Sequence, residues 1–153
     1  MKRGWKAKNA WEERFETPRL EALLAVYSKT QAGLIEQARS AILAMDGATE
    51  SITWLGIPWR WTLAYGARGS SDRPIVYLVP QPGKPLLALP MSGDVVSLLP
   101  VRRLPKYIRD VIAFSPKVAG VHWMQWELTG RTQVDELVGL VRHQHSAIVG
   151  QPA

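Results

Sequence analysis

Apolar residues recur at helical spacing in the first fifty positions and at alternate positions after them. Thr17-Pro18 is typical of a helix start, because threonine caps helices and proline suits their first turn. A break at residues 28–30 separates this helix from a second one that ends at Gly47. The apolar residues expected to face one core are Leu20, Leu23, Leu24 and Tyr27, then Leu34, Ile35, Ala38, Ile42 and Met45.

The period changes to two after Glu50, which predicts strands. Over residues 59–65 the alternation places Trp59, Trp61 and Tyr65 on one face, with Arg60 on the other. Further strands are predicted over 74–79, 86–89, 95–98 and 121–128. The connections among the first four strands are short, and short connections require antiparallel neighbours.

Two more helices complete the pattern, one starting at Pro105 and a long one capped by Thr132. In the strand between them, Met124 and Trp126 are expected to face the helices, whereas Trp123 points to the other side. The order of elements predicts a two-layer α+β domain. We expect an antiparallel sheet of about five strands, with two N-terminal helices, a short helix and a C-terminal helix on one side.

Length and composition indicate one globular domain. The chain has 153 residues, of which 46% are apolar and 21% charged, as in an ordinary folded protein. We interpret residues 1–16 as a flexible arm and residues 17–150 as a single domain. No apolar run approaches the roughly 18 residues of a membrane helix, and no signal-peptide pattern is found. We therefore expect a cytoplasmic protein without a membrane partner, either a monomer or a homodimer.

The formal net charge of +6 belongs to the middle third of the chain. Residues 57–109 contain eight basic and two acidic side chains, a net charge of +6, while the flanking regions nearly cancel. This concentration indicates a surface that could bind an anion or a nucleic acid. The candidate contacts are Arg60, Arg68, Arg73, Arg102, Arg103, Lys106 and Arg109.

Two segments resemble small bacterial α+β domains. Residues 50–59, ESITWLGIPW, follow the second helix and resemble the start of the sheet in YdhG-like domains, with Leu55 as one extra residue before the glycine. Residues 120–130, GVHWMQWELTG, and the helix after them resemble the end of the related MmcQ/YjbR-like proteins. The resemblance covers about residues 18–149. It implies the frataxin-related fold, an antiparallel sheet with helices on one side.

The same resemblance implies two different functions. One branch of the YdhG group is described as iron chaperones that work through an acidic helical ridge. MmcQ/YjbR-like proteins are described as predicted DNA-binding proteins with a double-wing motif. In this chain the first region is only weakly acidic, which argues against an iron-binding ridge. Its acidic residues, interleaved with arginines, are Glu12, Glu13, Glu16 and Glu21.

No catalytic signature accompanies these features. The lack of cysteine excludes disulfides, thiolate nucleophiles and cysteine-ligated metals. His143 and His145 lie two residues apart, on different faces of a helix, which is not a metal-ligand spacing. No serine nucleophile motif is found either. We therefore assign no catalytic residue, metal site or cofactor, and an enzyme would need a cleft containing His122, Glu127 or Tyr65.

The tryptophans favour a binding function. Five of the seven lie in or beside predicted strands, which is more aromatic area than one layer of helices requires. We expect a noncatalytic binding or accessory domain that holds a small ligand or a protein segment on an aromatic sheet face. The residues expected there are Trp59, Trp61, Tyr65, His122, Trp123 and Glu127. Nucleic-acid binding through residues 57–109 is the alternative, followed by an iron carrier and an unrecognised enzyme.

Overall fold

A computed structural model describes residues 9–67 and 74–149. These residues form a sheet with helices packed against it. The helices in these ranges are α1 (Leu20–Leu24), α2 (Lys29–Leu43), α3 (Gly93–Ser97), α4 (Lys106–Phe114) and α5 (Arg131–Val149). The strands are β1 (Thr49–Trp54), β2 (Trp61–Gly66), β3 (Val76–Val79), β4 (Leu86–Ser92), β5 (Lys117–Val118) and β6 (Val121–Glu127). A 3₁₀ turn, Val101–Arg103, precedes α4.

The strands form one antiparallel sheet in the order β1-β2-β3-β4-β6-β5. The predicted α+β class with an antiparallel sheet is confirmed, although the sheet has six strands within the described ranges instead of about five. The alternation predicted neither edge strand, although the resemblance placed residues 50–59 at the start of the sheet. Glu50 faces the helices and interrupts the apolar alternation of β1, and β5 is only two residues long. Neither β1 nor β5 therefore shows the alternating apolar pattern that predicts a strand from the sequence.

Residues 95–98, predicted as a strand, belong mostly to the helix α3 instead. The Ser92 hydroxyl accepts a hydrogen bond from the Val95 N–H and so caps this helix. Asp94 lies in its first turn, where the helix dipole favours an acidic side chain. The strand prediction is wrong because a few apolar residues in so short a segment do not distinguish a helix from a strand.

Two predicted helix caps are also wrong. α1 begins after Arg19, which makes no capping side-chain hydrogen bond, so Thr17 lies outside the helix. α5 begins at Arg131, one residue before the predicted cap Thr132. α2, in contrast, begins at the predicted break, because the Ser28 hydroxyl accepts a hydrogen bond from the backbone of the first turn.

The core lies between one face of the sheet and the helices α2 and α5. Predicted inward residues of both layers are buried there, and Met124 and Trp126 face the helices as expected. The predicted residues that lie in this core are Leu23, Tyr27, Leu34, Ile35, Ala38, Ile42, Val134, Leu137, Val138 and Val141. The helical periods in the sequence therefore identified the correct faces.

A charged network ties α2 to the first two strands. Arg39 donates from Nε and Nη2 to the two carboxylate oxygens of Glu50, both at 2.8 Å. The Tyr65 hydroxyl donates to the same carboxylate at 2.6 Å, and Glu36 lies 2.7 Å from Arg39. The hydrogen bond from Arg39 outweighs burial and lowers the pKa of Glu50. Burial and then the bond to Glu50 raise the pKa of Tyr65.

Replacing Glu50 with Gln should destabilise the protein at neutral pH and not in acid. Arg39 and Glu50 are only 16% and 20% exposed, so we expect a loss of about 1–2 kcal/mol in the free energy of unfolding. The folded-state pKa of Glu50 lies below its ordinary value of 4.5. The contribution of Glu50 is therefore complete above that pH and is lost as the pH falls through the folded-state value. Urea unfolding at a series of pH values measures this difference.

Glu36→Gln is the matched control for this variant. Glu36 contacts the same arginine but is 49% exposed, so its replacement should cost at most about 0.5 kcal/mol. A cost for Glu50→Gln that is equal at neutral and acidic pH would contradict the assigned role of the carboxylate.

Candidate functional site

The sheet face turned away from α2 and α5, here called the outer face, is also largely apolar. Residues opposite each other in neighbouring strands share a face. The register therefore places Ala64, Tyr77, Ala88 and Gln125 in one row across it. Ala88 is 1% exposed, so the outer face is covered as well.

Three aromatic rings, here called the aromatic cluster, meet on the outer face. They belong to Trp59, Tyr77 and Trp123, and each side chain is half-buried. The ring centroids of Trp59 and Tyr77 are 5.2 Å apart, and both lie 6.2 Å from that of Trp123. These separations are typical of favourable edge and stacked contacts. Burial raises the pKa of Tyr77.

Trp59 and Trp61 lie on opposite faces of the sheet, so the prediction that they share a face is wrong. Trp61 is 7% exposed and packs edge-on against Trp54 in the core, with ring centroids 5.5 Å apart. Arg60, between the two tryptophans, has a φ of +60°, and β2 begins only at Trp61. Because a left-handed residue breaks the alternation, Trp59 turns to the outer face.

Residues 9–16 lie against this left-handed turn. The Trp11 Nε1–H donates to the Trp59 carbonyl at 2.8 Å, and the Trp61 Nε1–H donates to the Glu13 carbonyl at 2.6 Å. Two long-range hydrogen bonds therefore attach the second half of the predicted arm to the domain. The first eight residues of that arm lie outside the described ranges.

The predicted anion contacts that the structure describes lie in different environments. Arg60 donates to Glu12 at 3.1 Å and its guanidinium lies 5.1 Å above the ring of Trp11, so its charge is paired within the chain. Arg68 and Arg73 lie outside the described residues. The remaining four are exposed on the 3₁₀ turn and α4, and they are Arg102, Arg103, Lys106 and Arg109.

The polar candidates His122, Tyr65 and Glu127 lie in three different parts of the sheet. Tyr65 belongs to the network with α2, and Glu127 is exposed on the outer face. His122 is 9% exposed on the helix side of β6, and its Nδ1 is buried without a hydrogen-bond partner among the described residues. Among residues 9–67 and 74–149, no group of three histidine or acidic side chains could hold a metal ion.

A groove of about 270 Å³ opens beside the aromatic cluster. This volume lies just below the roughly 300–1,000 Å³ of most small-ligand sites. Trp123 and Gln125 of β6 form one wall, and the end of α4 with the residues after it forms the other. The lining residues are Asp110, Val111, Phe114, Ser115, Pro116, Trp123 and Gln125. Two further cavities, near α1 and between the starts of α2 and α5, contain none of the predicted site residues.

Sequence reasoning identified Trp123 but missed Phe114, which is 84% exposed across the groove. Phe114 is the last residue of α4 and lies off its apolar face, which carries Ile108 and Ile112. Its position off the apolar face of the predicted helix is the one sequence signal here, and single exposed apolar residues are too common on protein surfaces to mark a site.

Comparison with known proteins does not assign a function. No known protein-family model matches the chain, and no curated protein matches it significantly. No helix in residues 9–67 and 74–149 is long and apolar enough to span a bilayer. The geometry of the site is therefore the only basis for proposing a function.

Replacing Trp11 with Phe should loosen residues 9–16 while the sheet stays intact. The ring is kept, but its donor to the Trp59 carbonyl is lost. A single hydrogen bond contributes about 0.5–1.5 kcal/mol, so amide exchange in this segment should rise about two- to tenfold. Hydrogen-exchange mass spectrometry measures the exchange rate of residues 9–16.

Phe15→Leu is the control, since Phe15 is 87% exposed. Equal exchange rates in Trp11→Phe and the wild type would contradict the attachment of this segment.

Proposed function

We propose that this protein is a noncatalytic binding domain that holds a small ligand or a protein segment in the groove beside the aromatic cluster. The observation that supports it is the position of Trp123. The ring of Trp123 packs with those of Trp59 and Tyr77, and the same side chain lines the open groove together with Phe114. An aromatic side chain already held in place loses little conformational entropy when a ligand binds.

The lining of the groove favours an apolar ligand group over a polyanion. Its apolar residues are Val111, Phe114, Pro116 and Trp123. Asp110 is the charged residue of this lining, and it is paired with Lys106 at 2.7 Å. A mostly apolar cleft with a few polar groups is the usual form of ligand sites. A phosphate in this groove would meet a carboxylate instead of a free cation, which is unfavourable.

Binding of small aromatic probes, indole and phenol, tests this proposal. In ¹H–¹⁵N NMR titrations, we expect chemical-shift changes centred on Phe114, Trp123 and Gln125. Phe114→Ala should weaken binding about three- to tenfold, because it removes one apolar wall. Phe15→Ala is the matched control, since Phe15 is equally exposed but far from the groove in sequence and contacts.

The result is decisive in either direction. Shift changes centred away from the groove, or equal affinity of the wild type and Phe114→Ala for both probes, would overturn the proposal.

Nucleic-acid binding is the second candidate, supported by the exposed basic residues before and on α4. Arg102, Arg103 and Arg109 are exposed and make no ion pair within the described part of the chain. They lie within eight consecutive positions, so a phosphate backbone could contact several of them at once. Lys106, in the same stretch, is paired with Asp110.

Salt dependence tests this second candidate. Each phosphate contact on a single strand contributes a slope of about −0.7 in log affinity against log salt. Replacing Arg102, Arg103 and Arg109 together with Gln should therefore flatten the slope for an oligothymidine by about 2 units. Fluorescence anisotropy at increasing salt measures it.

The matched control replaces three exposed arginines elsewhere, Arg14, Arg19 and Arg131, with Gln. This triple variant should keep the wild-type slope. A wild-type protein that does not bind the oligonucleotide at low salt rules out this function.

Membership in the YdhG-like or MmcQ/YjbR-like group is part of the same proposal, and the order of helices and strands is what supports it. A cytoplasmic location and a monomeric or homodimeric state belong to the proposal as well. Among the described residues, no observation favours the iron-carrier or enzyme hypotheses over binding.

A further inference from the structure

The strand β6 has a strand neighbour along only part of its free edge. β5 pairs with it through Val118 and Lys117, across a tight turn in which Ala119 and Gly120 have φ values of +53° and +79°. Pro116 then accepts a hydrogen bond from the Trp123 N–H at 2.9 Å. The chain before Pro116 is the helix α4 and its end, so the ladder stops there.

Beyond Trp123, backbone groups of β6 point to this open edge. The Trp123 N–H points away from β4, and residues two apart in a strand point their backbone groups the same way. The N–H and C=O of Gln125 therefore face the same side. Pro116 has no N–H to offer the Trp123 carbonyl. None of these three groups has a hydrogen-bond partner among residues 9–67 and 74–149.

The open edge of β6 lines the groove. Trp123 and Gln125 line the groove on the side of β6, while Val111 and Phe114 of α4 stand opposite. Unpaired N–H and C=O groups on a sheet edge are a template for an added strand. The cavity thus offers backbone hydrogen bonds and apolar contacts together.

The dimensions favour a single chain over the edge of a second folded sheet. From Trp123 to Glu127 the edge spans four residue steps, about 13 Å. It is limited at one end by the β5 hairpin and at the other by Gln133, whose side chain donates to the Glu127 carbonyl at 2.6 Å. The groove beside this edge has a volume of about 270 Å³, which is too small for more than one short extended segment.

We propose, on the basis of the function proposed above, that the groove binds an extended peptide segment of a partner protein as an added strand. The segment would continue the line of β5 and pair with the backbone of Gln125. Its side chains would alternate between the two sides of the sheet, with one beside Trp123 on the outer face. An aromatic or branched apolar residue suits that position, because such pairs stabilise neighbouring strands.

Peptides selected from a phage-displayed random library on the whole protein are the probe. The tightest peptide is N-methylated at one residue at a time, which removes single backbone donors. We expect N-methylation of the residue that pairs with Gln125 to lower the affinity about tenfold, the effect of one lost hydrogen bond in a desolvated site. The residues on either side of it, whose N–H groups point away from β6, should change little. This measurement uses the unaltered protein and so does not depend on the folding of a variant.

A pair of protein variants gives the complementary test. Gln125→Pro removes the edge N–H and should weaken peptide binding about tenfold. Proline is tolerated on edge strands, and this N–H has no partner in the fold, so thermal melting should change little. Gln125→Ala loses the same side chain but keeps the N–H, so Gln125→Pro should bind the peptide about tenfold more weakly than Gln125→Ala.

Each outcome separates this inference from the function proposed above. Uniform tolerance of N-methylation, with losses only on side-chain truncation, overturns strand addition and leaves groove binding intact. A peptide that binds Phe114→Ala as tightly as the wild type overturns both. A failure to select any peptide overturns strand addition, while the indole and phenol titrations decide on the groove. Self-association of the wild type that Gln125→Pro abolishes would assign the edge to a second copy instead.

Discussion

The sheet is apolar on both faces, and its two long helices cover only one of them. Val79 and Ala88 on the outer face are each 1% exposed, although α2 and α5 pack on the other side. Uncovered apolar strands would invite aggregation, so a second cover is needed. Tyr77 lies directly beside Ala88, and its ring packs with those of Trp59 and Trp123 on this face. The candidate site is built from this second cover.

The left-handed turn at Arg60 makes that cover possible. Its φ of +60° sends Trp59 to the outer face and Trp61 to the core, so that one short turn supplies an aromatic ring to each side. Hydrogen bonds from Trp11 and Trp61 join residues 9–16 to the same turn. Such a backbone conformation costs energy in a non-glycine residue and persists only where surrounding contacts hold it. The ion pair with Glu12 is one of these contacts.

The groove exists because β5 is so short. With a β5 of ordinary length, the edge of β6 would be paired as far as Glu127, and no free backbone group would face α4. The helix ends at Phe114, close enough to the sheet to form a wall but not to satisfy the backbone of Gln125. The edge of β6 is therefore open beside Phe114 and Trp123 because α4 ends only a few residues before β5 begins.

The hydrophobic pattern along the chain is enough to predict the class of fold and most of the core. Helical and alternating periods are local, so they identified Ile35, Ile42 and Met124 as inward residues and placed Trp123 on the other face. The tertiary structure alone decided the rest of the site. A positive φ at Arg60 leaves no mark in a hydrophobic pattern, and neither does the convergence of Phe114 with Gln125. Such features depend on contacts between distant segments, which a periodic pattern along one segment does not encode.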